Sequence, residues 1–563
     1  MYSDCIKEYR EQVFFCNLRG KFSPISLSLS DSMILATLPS RRSLFVVYTR
    51  FCFTSSTKDK NLVLVGTGWG GMSFLKSVDP RQFKSVTVVS PRNYFLFTPL
   101  LPSVAVGTTE PRSVMEPVRN MICKKRKKFP TSELEYIEMD AVGIDPTKNV
   151  LHCEYAGPKS SLETPLTKAV PYDILVLAPG AKSNTFNTPG VEQYCHFLKE
   201  MSQARQLRNA ILDAFEQASV CPDMEERKRL LTFVTIGAGP TGVEFCAELN
   251  DFLSEDLDKA YKEVSDLASV TIIQSTETIL NMFDRAISDY AEENFKRIDI
   301  QLIKNTRVVA VGPRSMTIEG PDKVQRDLPY GTAVWTAGVA PRRITAQIIE
   351  TLGESQKGNK LIAADGNLKV IGSDNIYAIG DCASIERPRL KEEAEEFLAE
   401  AKKTSSSAKL NKDEFVQIMK QIKQLHPNAV DISNVDEVFY SFADRSYYMK
   451  KDQFISCMDK LEKSFKSAPQ TAQVAQQQAE YLADYLVGKT DSAWEYTNRG
   501  MMSYVGQARA VLQSPQIGVL KGMPVFSLWR GAYASKLLTA RSRTLVIWDW
   551  LKAFWFGRDI SRM

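Results

Sequence analysis

Two short glycine-rich turns, each closing an apolar run with β character, constrain this chain more than any other feature. The first reads NLVLVGTGWGG from Asn61 to Gly71, and the second LTFVTIGAGPTGVE from Leu231 to Glu244. Both carry G-x-G-x-x-G: Gly66, Gly68 and Gly71, then Gly237, Gly239 and Gly242. In such a turn the first glycine makes the tight strand-to-helix reversal and the second lets backbone approach a pyrophosphate. The third lets helix and strand pack closely, while the helix N-terminus adds N–H donors and the positive end of a dipole. One copy is a weak signal, because glycine turns follow many strands. Two copies predict two dinucleotide sites, and a chain that holds two dinucleotides is built to pass electrons between them.

The surrounding pattern extends each turn into a doubly wound α/β unit. After the first turn come a helix and the strand Ser85 to Val89, which ends at Ser90 where many such units carry an acidic residue. A buried strand is expected over Tyr172 to Ala181. The second unit runs through Ser269 to Ile273, ends at Gln274, and continues to a strand at Thr332 to Gly338. A third apolar strand, from Asn375, ends in Gly380-Asp381. Gly-Asp at that place puts a carboxylate and helix-start N–H groups where the ribitol and phosphates of a flavin would lie. The expectation is a two-dinucleotide flavoprotein, with the second dinucleotide domain inserted into the first.

At 563 residues the chain is too long for one core. Its apolar content of 44% and charged content of 24% are those of a globular protein. The net charge of +5 leaves no nucleic-acid footprint. Ten cysteines without a C-x-x-C pair argue against a disulfide framework or a zinc site, so no metal is expected. Only His152, His196 and His426 are available for imidazole chemistry. No run reaches the roughly 18 to 20 apolar residues that a membrane span needs. Residues 1–32 hold Asp4, Glu8, Glu11 and Asp31, whereas from Met33 the acidic residues vanish and Arg41, Arg42 and Arg50 sit among Ser, Thr and apolar residues. That second stretch matches a mitochondrial presequence.

Residues 387–466 are charged and helical by period, and two x-D-[EQ]-F starts (Asp413-Glu414-Phe415 and Asp452-Gln453-Phe454) outline a pair of EF-hand-like units. The ligand pattern fails. Lys403 takes the first ligand position, Ala408 replaces the turn glycine, and the second loop ends in Gln453. Calcium binding needs alternating oxygen ligands and a closing bidentate Glu, so the expectation is a degenerate pair used for packing or a partner. At the C-terminus Trp548, Trp550, Leu551, Phe554, Trp555 and Phe556 mix with Arg541, Arg543, Lys552, Arg558 and Arg562. That mixture predicts an amphipathic helix lying in a membrane interface.

These residues together resemble the type II NAD(P)H:quinone oxidoreductases, the alternative, rotenone-insensitive dehydrogenases of mitochondria. The likeness is carried by GTGWGG, VVSPRNYFLFTPLLPSVAVGTTEPRSVMEPVR, LAPGAKSNTFNTPGVEQYCHFLKE, GAGPTGVEFCAEL, ILNMFD, VWTAGV, IYAIGDCA and PQTAQVAQQQAEYLA, and runs from Asn61 to the C-terminus. The insertion and the ending YASK…FGRD resemble the plant-type external branch. The resemblance implies FAD at Gly66, Gly68, Trp69, Gly70, Gly71, Ser90, Pro91, Ala178, Gly180, Gly380, Asp381 and Ala472. It implies NADPH, NADH or both at Gly237, Gly239, Pro240, Thr241, Gly242, Glu244, Gln274, Ala337 and Gly338. Ubiquinone would meet the A-Q-x-x-x-Q motif at Gln473 and Gln477, with Gln476 beside them. It further implies a homodimer on the mitochondrial inner membrane, peripheral and facing the intermembrane space.

The corresponding division is a leader at 1–60, an FAD domain at 61–230 and 346–386, and an NAD(P)H domain at 231–345. The helical insertion follows at 387–466, then a flavin and quinone segment at 467–500 and an anchoring region at 501–563. Glu244 is a candidate for holding the nicotinamide side and relaying a proton, or a plain intrahelical partner. A neutral Gln274, where a carboxylate would repel a 2′-phosphate, favours NADPH. A disulfide reductase would need a cysteine pair after the first turn, and the next cysteine, Cys123, is alone. Two rivals stay open: a sulfide:quinone oxidoreductase using Cys153 and Cys382, and a non-enzymatic NAD(P)H-binding flavoprotein.

Overall fold

In the computed structural model the strand Asn61–Val65 is the centre of a five-stranded parallel sheet. Its order is Ile376–Ala378, Ile174–Leu177, Asn61–Val65, Ser85–Val89 and Glu133–Ile137. Residues 57–157, 166–402, 409–426, 428, 435–444, 448–465 and 467–562 are described. The presequence-like stretch and the loop positions Lys403 and Ala408 lie outside the described residues. The alternation along the central strand decides its packing. Leu62 and Leu64 face one core with Val86, Val88 and Phe74, whereas Val63 and Val65 face another with Leu175, Leu177 and Ile348. A strand buried on both faces is all apolar, which is why NLVLV reads as a continuous run.

A second five-stranded parallel sheet repeats the plan, in the order Cys195–Phe197, Thr332–Trp335, Thr232–Ile236, Ser269–Ile273 and Ile300–Ile303. Both glycine turns therefore leave the middle strand of their sheet, at the carboxyl end where open α/β folds bind ligands. The strands expected at 172–181 and 332–338 are shorter than the apolar runs. They stop at Leu177 and Trp335, because the following residues leave the ladder for the turns at Gly180 and Gly338, which have φ of +71° and +67°.

Three antiparallel three-stranded sheets complete the frame. The third is built from Met501–Gly506, Arg509–Ser514 and Gly518–Gly522, strands that the sequence reading did not anticipate. It packs on the helix Pro240–Phe252 that follows the second glycine turn, with Asn294 donating to Val505 O at 2.6 Å from the neighbouring helix Arg285–Arg297. Two helices follow, Met523–Lys536 and Ala540–Phe556.

The insertion forms helices Leu390–Lys402, Lys412–Leu425, Val435–Phe442 and Lys451–Ser464 around its own core of Phe415, Ile418, Phe439, Phe454 and Met458. Leu410 and Met449 exchange backbone hydrogen bonds at 2.9 Å both ways, a short antiparallel bridge just ahead of the helices Lys412–Leu425 and Lys451–Ser464. The carboxylate of Glu414 closes a capping box, accepting from Asn411 N at 2.9 Å, and Gln453 does the same for Lys450 at 2.8 Å. The side chains at the loop ends are thus spent on helix capping.

Candidate active site

The first glycine turn is closed sterically. Gly66 has φ of +101°, and a Cβ on it would stand 2.2 Å from the carbonyl oxygen of Ala178. A Cβ on Gly71 would stand 1.9 Å from the carbonyl oxygen of Gly66. In front of the helix the opposite holds. Gly68 caps Trp69–Ser77 with no side-chain hydrogen bond, and a Cβ on it would meet only the Arg92 guanidinium, at 3.9 Å. A Cβ on Gly180 would meet nothing within 4 Å. The tight contacts thus hold the loop, and the open side faces the first helical N–H groups, as an anion cradle requires.

Side chains around this cradle are linked to one another. Ser90 and Thr67 are buried with their hydroxyls 2.9 Å apart, and Thr67 also donates to Arg92 O at 2.9 Å. Pro91 is exposed at the strand end. Trp69 donates to Thr98 Oγ1 at 3.1 Å and packs edge-on against Phe95. Glu200 accepts from Arg92 at 2.7 Å and from Arg342 at 2.9 Å. Gly380 begins a single 3-10 turn, Gly380–Cys382. Its N–H donates to Gln478 Oε1 at 2.7 Å, from the helix Ala472–Tyr485. The Asp381 carboxyl lies 3.8 Å from Lys199 Nζ, and burial pushes its pKa up against that ammonium. Lys199, Glu200, Arg92 and Gln478 were not among the expected site residues. Their partners are far away in sequence, so no local pattern marks them.

The second turn copies the first. Gly237 has φ of +102°, a Cβ on Gly242 would stand 2.0 Å from Gly237 O, and a Cβ on Gly239 would meet nothing within 4 Å. Pro240 starts the helix, where its missing N–H costs nothing, and Thr241 is exposed. Gln274 accepts from Ala238 N at 3.0 Å and donates to Thr276 Oγ1 at 2.6 Å, so its amide braces the loop. Ala337 and Gly338 border the same turn, with Trp335 Nε1 donating to Ala337 O at 3.0 Å.

Glu244 is buried one turn into that helix and faces the C-terminal region. It accepts from Tyr504 N at 3.2 Å and from the Tyr533 hydroxyl at 3.3 Å. Two long hydrogen bonds, about 1.5–3 kcal/mol each at best, do not offset the several kcal/mol of burying a carboxylate charge. Burial therefore pushes Glu244 up to about 8, and Glu248 nearby adds to the rise. Glu248 accepts from Ser103 at 2.7 Å and Thr108 at 2.9 Å. Asp251, bonded to the Tyr504 hydroxyl and to Gln507 N, is pushed up to about 7 by burial. The spacing 244, 248, 251 puts three buried acids on one helix face.

In the A-Q-x-x-x-Q helix, Gln473 and Gln477 share a face and bond the segment 496–500. Thr497 N donates to Gln477 Oε1 at 3.0 Å, and Arg499 N to Gln473 Oε1 at 3.0 Å. Gln476 donates instead to Glu480 on its own helix, at 2.8 Å. Ala472 opens that helix behind the Thr471 cap. At the C-terminus the helix Ala540–Phe556 has two sides. Val546, Asp549 and Trp550 are buried, while Trp548, Phe554, Trp555 and Phe556 are exposed, Phe554 at 79% and Phe556 at 82%. Trp550 therefore belongs to the core, beside Trp529. Arg558 does too, with ion pairs at 2.7 Å to Asp256 and 2.8 Å to Glu255. Neither contributes to an exposed interfacial face. Among the described residues no helix is long and apolar enough to cross a membrane.

Two parallel sheets with matched dinucleotide cradles define a pyridine-nucleotide flavo-oxidoreductase. The family model "Pyridine nucleotide-disulphide oxidoreductase" matches residues 60–404, and "NDH2 C-terminal domain" matches 498–559. More narrowly, the chain belongs to the alternative, type II NAD(P)H-ubiquinone oxidoreductases. The mitochondrial external alternative NAD(P)H-ubiquinone oxidoreductase B1 of Solanum tuberosum is 39% identical, over 90% of this chain and 91% of the relative. Two solved structures of NDH2 from Plasmodium falciparum, one in complex with RYL-552 and one with NADH, align with TM-scores of 0.81 and 0.80. Their identities are 30% and 29%, each covering 90% of this chain and 100% of the other. Both cradles have the open backbone that a dinucleotide pyrophosphate needs, as FAD and NAD(P)H each carry.

Proposed function

We propose that this chain oxidises NAD(P)H and reduces ubiquinone through FAD, without pumping protons, at the surface of the mitochondrial inner membrane. The observation that carries this reading is the pair of sterically matched glycine cradles in a chain of this family. FAD, when held by the 66–71 turn, the Ser90 strand end and Asp381, would supply the two-electron chemistry between the nicotinamide donor and the quinone acceptor. The protein's own groups position and protonate. Glu244, which burial pushes up to about 8, is mostly protonated at neutral pH and holds that proton one turn into the helix after the second cradle, where it can exchange it during turnover. Gln473 and Gln477 fix the backbone at 496–500, on the side assigned here to the quinone. The residues of the sulfide alternative are poorly suited to it. Cys153 and Cys382 are buried, and burial pushes their thiols up to about 11 and about 12, away from the reactive thiolate.

NADPH is accepted beside NADH in this proposal. Gln274 carries no charge to oppose a 2′-phosphate, and Glu277 is tied to Arg285 at 3.3 Å. The exposed face of Ala540–Phe556, with Trp548, Phe554, Trp555 and Phe556, lies in the lipid interface, and the intermembrane-space face and a homodimer complete the reading. Its test is quinone-dependent oxidation of NADH and NADPH by the FAD-loaded protein. Turnover with both donors is expected, and no turnover with either would sink the dehydrogenase reading. Flotation with ubiquinone-containing anionic vesicles tests membrane attachment. Equal flotation of the wild type and a Phe554→Ser, Phe556→Ser variant would reject it. Light scattering decides the dimer, where a monomer mass would remove it, and protease protection in intact mitochondria decides the face.

A further inference from the structure

Asn428, shortly after the helix Lys412–Leu425, reaches out of the insertion. This half-buried amide donates from Nδ2 to Trp494 O at 2.9 Å and accepts at Oδ1 from Tyr496 N at 2.8 Å. It thus binds the backbone on both sides of Glu495, as a neighbouring strand would. Lys423, at the end of the preceding helix, donates to the Glu495 carboxylate between them, at 2.6 Å. Trp494 itself is buried, and its N–H donates to Gly366 O at 2.8 Å.

The other side of the same strap is held by the glutamine helix. Tyr496 donates its hydroxyl to Gln473 Oε1 at 3.1 Å, and Gln473 Nε2 donates to Gly500 O at 3.2 Å. Gln477 bonds Thr497 in both directions, donating to its O at 2.9 Å and accepting from its N at 3.0 Å. Residues 494–500 are therefore clamped between the insertion and the two glutamines, with Tyr496 bonded to both.

We infer that Asn428 is a positioning residue for quinone, through which the EF-hand-like insertion sets the shape of the quinone side and leaves the nicotinamide side alone. The inference rests on the reading of Gln473 and Gln477 as quinone-site residues. The two hydrogen bonds of Asn428 tie a surface domain to the backbone of Trp494 and Tyr496, three residues and one residue before Thr497. The described hydrogen bonds of both glycine cradles do not involve the insertion.

The experiment uses the full FAD-loaded chain with NADH and a short-chain ubiquinone. Asn428→Leu keeps the side-chain bulk and removes both hydrogen bonds, and Asn428→Ala removes the bulk as well. Both variants are expected to raise the quinone KM about tenfold, equivalent to about 1.4 kcal/mol. The NADH KM and the anaerobic rate of flavin reduction stay at wild-type values. Gln477→Leu serves as the control for the underlying reading. A raised quinone KM in Gln477→Leu with an unchanged one in both Asn428 variants overturns the coupling. An unchanged KM in Gln477→Leu means that the motif reading has failed, and the inference falls with it. Loss of bound FAD, or slower flavin reduction, in both Asn428 variants also overturns it, because the effect would then be general destabilisation.

Discussion

The two dinucleotide cradles are near copies in backbone and unlike in everything attached to it. Gly66 and Gly237 share a φ of about 100°, and Gly71 and Gly242 leave almost the same impossible Cβ distance to the carbonyl they cover. The helix after the first turn is then lined with Met72, Phe74 and Leu75 and serves as core. The helix after the second presents Glu244 and Asp251 to Tyr504, Gln507 and Tyr533 of the C-terminal region and Glu248 to Ser103 and Thr108 of the first domain. The strand ends also differ, a hydroxyl at Ser90 bonded to the loop side chain of Thr67 and an amide at Gln274 bonded to the loop backbone of Ala238. Phosphate binding needs only the backbone, so the two sites agree there. Their chemical individuality comes from the residues that the glycine pattern leaves free.

The largest effect should come from breaking the shared backbone in each cradle separately. Gly71→Val is expected to abolish flavin retention, read as loss of visible absorbance in the purified protein. Gly242→Val should keep the flavin and lose its reduction by NADH at least about 100-fold, because a branched side chain cannot occupy a space already within bonding reach of backbone. If Gly242→Val also lost its flavin, the two cradles would not be independent.

A smaller effect tests the strand end. Gln274→Glu is expected to lower kcat/KM for NADPH about tenfold while sparing NADH, since a carboxylate opposes the 2′-phosphate. An unchanged NADPH-to-NADH ratio would mean that other contacts set the preference.

The smallest effect concerns the acidic face. A carboxyl whose pKa is raised on folding contributes most below its unfolded value, and that contribution is lost as pH rises through the folded value. For Glu244 the window runs from about 4.5 to about 8. Glu244→Gln should match the wild type near pH 5 and melt about 2–4 °C higher near pH 9, by thermal denaturation followed on flavin fluorescence. Equal pH dependence in both proteins would show that Glu244 is ionised throughout.

Both βαβ units and the helical character of the insertion were legible in the sequence, because each is enforced by neighbours within a few residues. The C-terminal sheet was not. Its strands mix polar and apolar positions over five or six residues and are flanked by turns that also fit a loop. Glu248, Asp251, Lys199 and Gln478 carry no motif either, since Gln478 meets Gly380 and Asp251 meets Tyr504 only after the chain has folded. The aromatic tail was half legible. Composition marked an aromatic helix, but only packing assigns Trp550 to the inside and Trp555 to the outside.

The segments that flank the insertion of residues 387–466, Gly380–Cys382 before it and Gln470 to Gln478 after it, are stitched together. Gln470 donates to Asp381 O at 2.8 Å, and Gln478 accepts from Gly380 N at 2.7 Å. The ends of the insertion stay closed even when its interior is not, so its own small core can melt as a separate cooperative unit. Heat would then strip the protein of its functions in sequence, with the grip on the strap at 494–500 released first and the flavin cradle opening last. If the strap shapes the quinone side as inferred above, warming would weaken the use of the electron acceptor before it bleached the protein.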